Sequence, residues 1–198
     1  MPAGKEQLYL QALVDSERPA RMVGLFTGQS MKPHDLQRLV SACITSMRQE
    51  DAGASLTVAP LGGPSPQEFA SQRTWRVTVV DGADAAPQDC LVQVFDMRDP
   101  ESPHRALLDH IGGRDQELSE AASHLQQNAQ TYLSIASGKL DEHERIHPFQ
   151  NLVSLFASAL GAAIVDPAAA IVTTDPGEWA DAMEQSLQIE KEMGALRR

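Results

Sequence analysis

Cysteine is nearly absent: the 198-residue chain holds only Cys43 and Cys90, far apart and without Cys-x-x-Cys spacing. A disulfide framework is therefore excluded, and each thiol, set in an apolar segment, reads as a small buried side chain. Aromatic residues make up 5% of the chain, so Trp75 and Trp179 are expected to anchor the core rather than offer a ligand platform. The opening MPAGKEQLYLQ lacks the long apolar centre of a secretory signal. No apolar run reaches the roughly 18 residues of a membrane span. A cytoplasmic location is the resulting expectation.

Positive charge is also scarce. Lys and Arg number 16 against 27 Asp and Glu, giving a formal net charge of −11 and a pI near 4.9. The cations are scattered, so the chain repels phosphate backbones and anionic lipid. The expectation is no nucleic acid and no membrane surface, and a basic protein as the partner that the charge favours.

The length suits one domain, or two small packed halves. Leu8, Leu10, Ala12 and Val14 alternate with Tyr9, Gln11 and Leu13, the signature of a strand. A short apolar run, 22–26, follows. Pro33 then opens a helix whose Leu36, Leu39, Val40, Cys43, Ile44 and Met47 share one stripe, with Gly53 to stop it. Residues 55–61 read as a strand. Trp75, Val77 and Val79 mark one face of the next, and residues 90–96 alternate again. The polar stretch 81–89 between these last two makes a hairpin with a long tip.

Ser102-Pro103 predicts a capped helix start, with His104 on its solvated side. Gly112-Gly113 breaks that helix, and another begins near Asp115 with Leu118, Ala121, Ala122 and Leu125 in register. His34 is expected at the surface, and His110 and His124 at its boundary. Residues 131–137 form a strand, 149–160 a helix ended by Gly161, and 162–166 a short strand turned by Pro167, with 170–173 as its hairpin partner. Asp175-Pro176-Gly177-Glu178 starts a last helix pinned by Trp179 and Met183, with a tail from Glu190. This order predicts an α+β fold: a mixed or antiparallel sheet with amphipathic helices packed on it. Two ferredoxin-like halves, about 6–98 and 99–190, are an alternative arrangement.

One string carries chemistry. His143-Glu144-Arg145-Ile146-His147 is a literal H-E-x-x-H, which on a helix makes a zinc site with Glu144 as general base. Pro148 follows directly. Within a helix its ring would crowd the carbonyl of Glu144, and proline disfavours helical backbone at His147. The reading preferred on these grounds puts Pro148 in the first turn of the next helix and both histidines in the loop before it. The expectation is then no metal and no cofactor. Phosphate-loop, nucleophile-elbow and dinucleotide patterns are incomplete. Asp81, Asp84 and Asp89 flank the hairpin tip and are candidates for contact with a basic partner.

The stretch HPFQNLVSLFASALGAAIVDPAAAIVTTDPGEWADAM, from 147 to 183, resembles the end of certain bacterial domains of unknown function. In them an amphipathic helix leads to a strand ending in Val-Asp-Pro, a small-residue turn and a tryptophan-bearing helix. The resemblance covers about a fifth of the chain. It implies a bacterial, cytosolic protein and carries no functional residues. Three functions remain: a non-enzymatic immunity or regulatory protein, a zinc-dependent hydrolase using His143, Glu144 and His147, and a small-molecule-binding domain.

Overall fold

The computed structural model describes residues 21–50, 52–60, 74–82, 85–99, 102–138, 140 and 143–196. The strand expected at 8–14 lies outside them, as does Asp84. The elements are β1 (Arg21–Thr27), α1 (Asp35–Glu50), β2 (Ser55–Pro60), β3 (Thr74–Val80), β4 (Gln88–Asp96), α2 (His104–Gly112), α3 (Gln116–Asn128), β5 (Thr131–Ser137), α4 (His143–Leu160), β6 (Ala163–Asp166), β7 (Ile171–Thr173) and α5 (Pro176–Leu196). The fold is α+β, as expected.

The strands form one antiparallel sheet in the order β2-β3-β4-β5-β1-β6-β7. Strands from the two stretches 6–98 and 99–190 interleave in it: β1 lies between β5 and β6. The expected hairpin is present, with Val77 facing Cys90 and Trp75 facing Val92 across β3 and β4.

Alternation along each strand sends apolar side chains to both faces. On the first face, Val23, Leu25, Trp75, Val77, Val79, Val92, Leu133 and Ile135 meet the stripes of α1, α4 and α5. The α1 stripe is the one its spacing predicts: Leu36, Leu39, Val40, Cys43 and Met47 are all buried. Cys43 and Cys90 are free and buried. Burial pushes their thiols up to about 11 and about 12, so neither is a thiolate nucleophile at neutral pH.

On the second face, α2 and α3 cover Phe26, Phe95, Tyr132 and Val165. Gly24 makes this possible. A Cβ there would lie 2.7 Å from Leu107 Cδ2 and 2.9 Å from Tyr132 Cε2, so any side chain would push α2 and the Tyr132 ring off the sheet. Burial raises the Tyr132 phenol to about 12; Ser134, close beside it, holds it back only partly and lies outside hydrogen-bonding geometry.

His104 corrects the sequence reading. It is 1% exposed, because it stands in register with Leu107, Leu108 and Ile111 on the buried stripe of α2. The Ser102 hydroxyl pairs with His104 Nδ1 at 2.8 Å and makes no cap to the helix backbone. His104 Nε2 has no hydrogen-bond partner among the described residues. Burial, with Arg105 adding to it, lowers the His104 pKa below its ordinary 6.5. The neutral ring is therefore favoured in the folded state, while the unfolded chain takes up a proton first as pH falls. Stability contributed here is complete above about pH 6.5 and is lost on acidification below it. Urea unfolding at pH 7.5 and 5.5 is expected to show a larger drop for the wild type than for His104→Phe. Equal drops would mean that His104 is not the responsive group. His34 is exposed as expected, and so, unlike the boundary positions predicted for them, are His110 and His124.

The other expected punctuation is in place. Gly161 adopts φ +56° just past α4, the left-handed end conformation that glycine supplies. Two side chains then take up the last carbonyl of α4: Thr27 Oγ1 and Gln29 Nε2 both donate to Leu160 O, at 2.9 and 3.0 Å. Asp115 caps α3 by accepting from Leu118 N. Asp175 caps α5 through Gly177 N at 2.8 Å, with Pro176 at the first helical position.

Candidate functional site

The H-E-x-x-H segment is helical, contrary to the loop expected from Pro148. α4 runs unbroken from His143 to Leu160 with Pro148 inside it. The missing proline N–H costs one bond, to the carbonyl of Glu144. Against that loss, the buried stripe of Phe149, Leu152, Val153 and Phe156 extends back to Ile146, and this burial carries the helix through the proline. Positions 143 and 147 are thus one turn apart. The side chains of His143 and Glu144 lie outside the described part. Among the described residues, no group of three or more His, Cys, Asp or Glu side chains comes together.

His147, Asn151, Ser154 and Ser158 follow one another at four, three and four residues on the side of α4 opposite the buried stripe. This row meets the end of β3, where Asp81 turns inward. Asn151 Nδ2 donates to Asp81 Oδ2 at 2.7 Å, and His147 Nδ1 stands 3.5 Å from the same oxygen. Asp81, Asn151, Ser154 and Ser158 line a cleft of about 230 Å³ between α1 and α4, closed on its apolar side by Met47, Ala54 and Leu155. His147 is 62% exposed and Asp81 25%, so the pair sits at the mouth rather than the floor.

The arrangement holds an imidazole against a carboxylate, the orienting half of an acid–base site. Among the described residues it places no nucleophile beside the imidazole: Ser154 is seven residues along the helix from His147, about 10 Å at 1.5 Å per residue. That is beyond hydrogen-bond reach. What remains is a small polar recess to which the described residues contribute one carboxylate, one amide and two hydroxyls.

Of the aspartates named at the hairpin tip, the two described ones, Asp81 and Asp89, are not brought together. Asp81 is in the cleft on the first face, beside α1 and α4. Asp89 is exposed on the opposite face, where it accepts a hydrogen bond from the Thr78 hydroxyl across the β3–β4 pair. Sequence reasoning missed Asn151, Ser154 and Ser158. Their spacing from His147 was a usable signal, but starting the helix at Pro148 removed the anchor of the row.

A second polar cluster is wholly internal. Asp166, 0% exposed, accepts from Arg21 Nε and Nη2 and from Trp179 Nε1 on one oxygen, and from Ala168 N and Ala169 N on the other. Every lone-pair direction is used, so this cluster is structural.

In comparisons with protein families, curated proteins and solved structures, nothing matches this chain.

Proposed function

We propose that the protein acts by binding a basic protein partner, in the manner of an immunity or regulatory protein, and that α5 supplies the contact. One observation carries the reading. Glu178, Asp181, Glu184 and Glu192 are exposed on α5, away from its buried Trp179, Met183 and Leu187. Among the described residues none of these four carboxylates is in an ion pair. Beside them stand Ile189, 60% exposed, and Met193, 49% exposed. An apolar strip bordered by four unpaired carboxylates, with Lys191 the one cation of the helix, suits a contact surface: the apolar residues supply affinity, and the predominantly acidic border selects a cationic partner and speeds its approach. The net charge of −11 adds a long-range field of the same sign.

The test is capture from the native host on immobilised protein, with partners identified by mass. A protein is expected to be retained at low salt and released at high salt, since the Debye length falls from about 10 Å at 0.1 M to about 3 Å at 1 M. It should be lost from a variant carrying Glu178→Gln, Asp181→Asn, Glu184→Gln and Glu192→Gln. Equal retention by wild type and variant would remove α5 from the argument.

A further inference from the structure

The cleft between α1 and α4 is a separate feature from the α5 face and has its own chemistry. Asp81 Oδ2 is occupied by Asn151 and His147, whereas Asp81 Oδ1 takes no hydrogen bond among the described residues. Asn151 spends its amide N–H on Asp81 and keeps its carbonyl oxygen as an acceptor. The Ser154 and Ser158 hydroxyls add two further acceptors. Among the described residues no Lys or Arg side chain lines the recess, and the other described lining residues are Met47, Ala54 and Leu155. The cleft therefore offers a negative, acceptor-rich end and an apolar side. At about 30 Å³ per water, its roughly 230 Å³ matches seven or eight water volumes, room for a ligand of few heavy atoms.

We infer that this cleft binds a small organic ammonium ion, its cationic head on the free oxygen of Asp81 and its short alkyl stem against Met47 and Leu155. An ammonium group has donors only, so it matches acceptors that a phosphate or carboxylate would repel. The partial burial of Asp81 makes the attraction stronger than at an open surface. A sugar or an alcohol would satisfy the hydroxyls without using the charge. A divalent metal would call on His147 rather than on the apolar wall.

The probe is butylammonium chloride, titrated calorimetrically into the full-length protein and followed by amide chemical shifts. Saturable binding of one ion per chain is expected, with shifts confined to residue 81, the 151–158 segment, and residues 47 and 54. Asp81→Asn keeps the side-chain shape and is expected to weaken binding by at least about tenfold, the loss of a hydrogen bond to a charged group. The shift map needs no variant, so the inference stays testable if Asp81→Asn folds poorly. No saturable binding, or shifts elsewhere, would overturn it. Equal affinity for 1-butanol would show that the charge is not read. Tight zinc binding abolished by His147→Ala, with no response to butylammonium, would assign the site to a metal instead.

Discussion

Replacing Asp166 with alanine is expected to cost about 3–5 kcal/mol, the range for removing one partner of a buried ion pair. Against a total of about 5–15 kcal/mol for a domain, that is enough to leave much of the chain unfolded at 37 °C. The size follows from what stays behind. Arg21, 4% exposed, would keep its charge with, among the described residues, only Glu190 to pair with, at 3.6 Å and itself 44% exposed. Trp179 Nε1 would lose its acceptor, and so would two backbone N–H groups of the turn after β6. That turn holds Ala170 at φ +54°, a left-handed conformation costing an alanine about 1 kcal/mol or more. The Asp166 side chain, binding the N–H groups of Ala168 and Ala169, keeps the chain in this shape. Asp166→Asn should not rescue it, because an amide turns its NH₂ toward donors whichever way it flips. The discriminating variant removes both charges: Arg21→Met with Asp166→Leu should be less destabilised than Asp166→Ala alone. Urea denaturation of the three proteins decides the matter. A cost below about 1 kcal/mol for Asp166→Ala would mean that water reaches Arg21 and that the pair is not a buried one.

The parts of this fold that were legible in the sequence are those set by local period and local turn chemistry. Trp75, Val77 and Val79 alternate because a strand buries every second residue, and all three are fully buried. The α1 stripe and the Asp175-Pro176 start were readable for the same reason: spacing and capping act within a few residues. Strand order was not readable. β5 enters between β4 and β1 only because α2 and α3 carry the chain over the second face and Gly24 clears space beneath them. No local pattern around β5 records that. His104 was misplaced for a different reason. A polar side chain two residues past a serine reads as solvated, yet its register with Leu107 and Ile111 puts it inside, and register decides.

The candidate site was legible only in pieces. His147 and Asp81 were both singled out, one as half of a metal motif and one as a loop charge, and the structure places them 3.5 Å apart. Their meeting depends on α4 continuing through Pro148, a case where burial of an apolar stripe outweighs a proline placed six residues into a helix. A local rule gave the wrong sign there because the competing term, contact with the sheet, is non-local. The same helix then exposes Asn151, Ser154 and Ser158 in a row. The cleft thus follows directly from the helix passing the proline.

Trp179→Ala is expected to rank beside Asp166→Ala, at about 3–5 kcal/mol, the range for truncating a buried aromatic. Trp179 is 0% exposed and meets Phe149 of α4 edge-on, with ring centroids 6.2 Å apart. It is the first large side chain of α5 inside the core, followed one and two turns later by Met183 and Leu187. Beyond Leu187 the described side chains of the helix are exposed, so the attachment of α5 depends on this short row. Trp179→Phe separates two contributions. It retains most of the ring volume and loses the hydrogen bond to the Asp166 carboxylate, about 1.5–3 kcal/mol for a bond to a charged group. Alanine loses both. Because Trp179 and Asp166 share that bond, the cost of Trp179→Phe with Asp166→Ala should fall short of the sum of the single costs. Measured in urea, an additive double variant would mean that the indole N–H contributes nothing to Asp166. A Trp179→Ala protein within about 1 kcal/mol of wild type would mean that α5 is held by something other than its tryptophan. The contact surface proposed on α5 would feel the same loss. If the carboxylates of α5 select a partner only while the helix is held on the sheet, Trp179→Ala should abolish capture without removing a single charge, whereas Trp179→Phe should leave it intact.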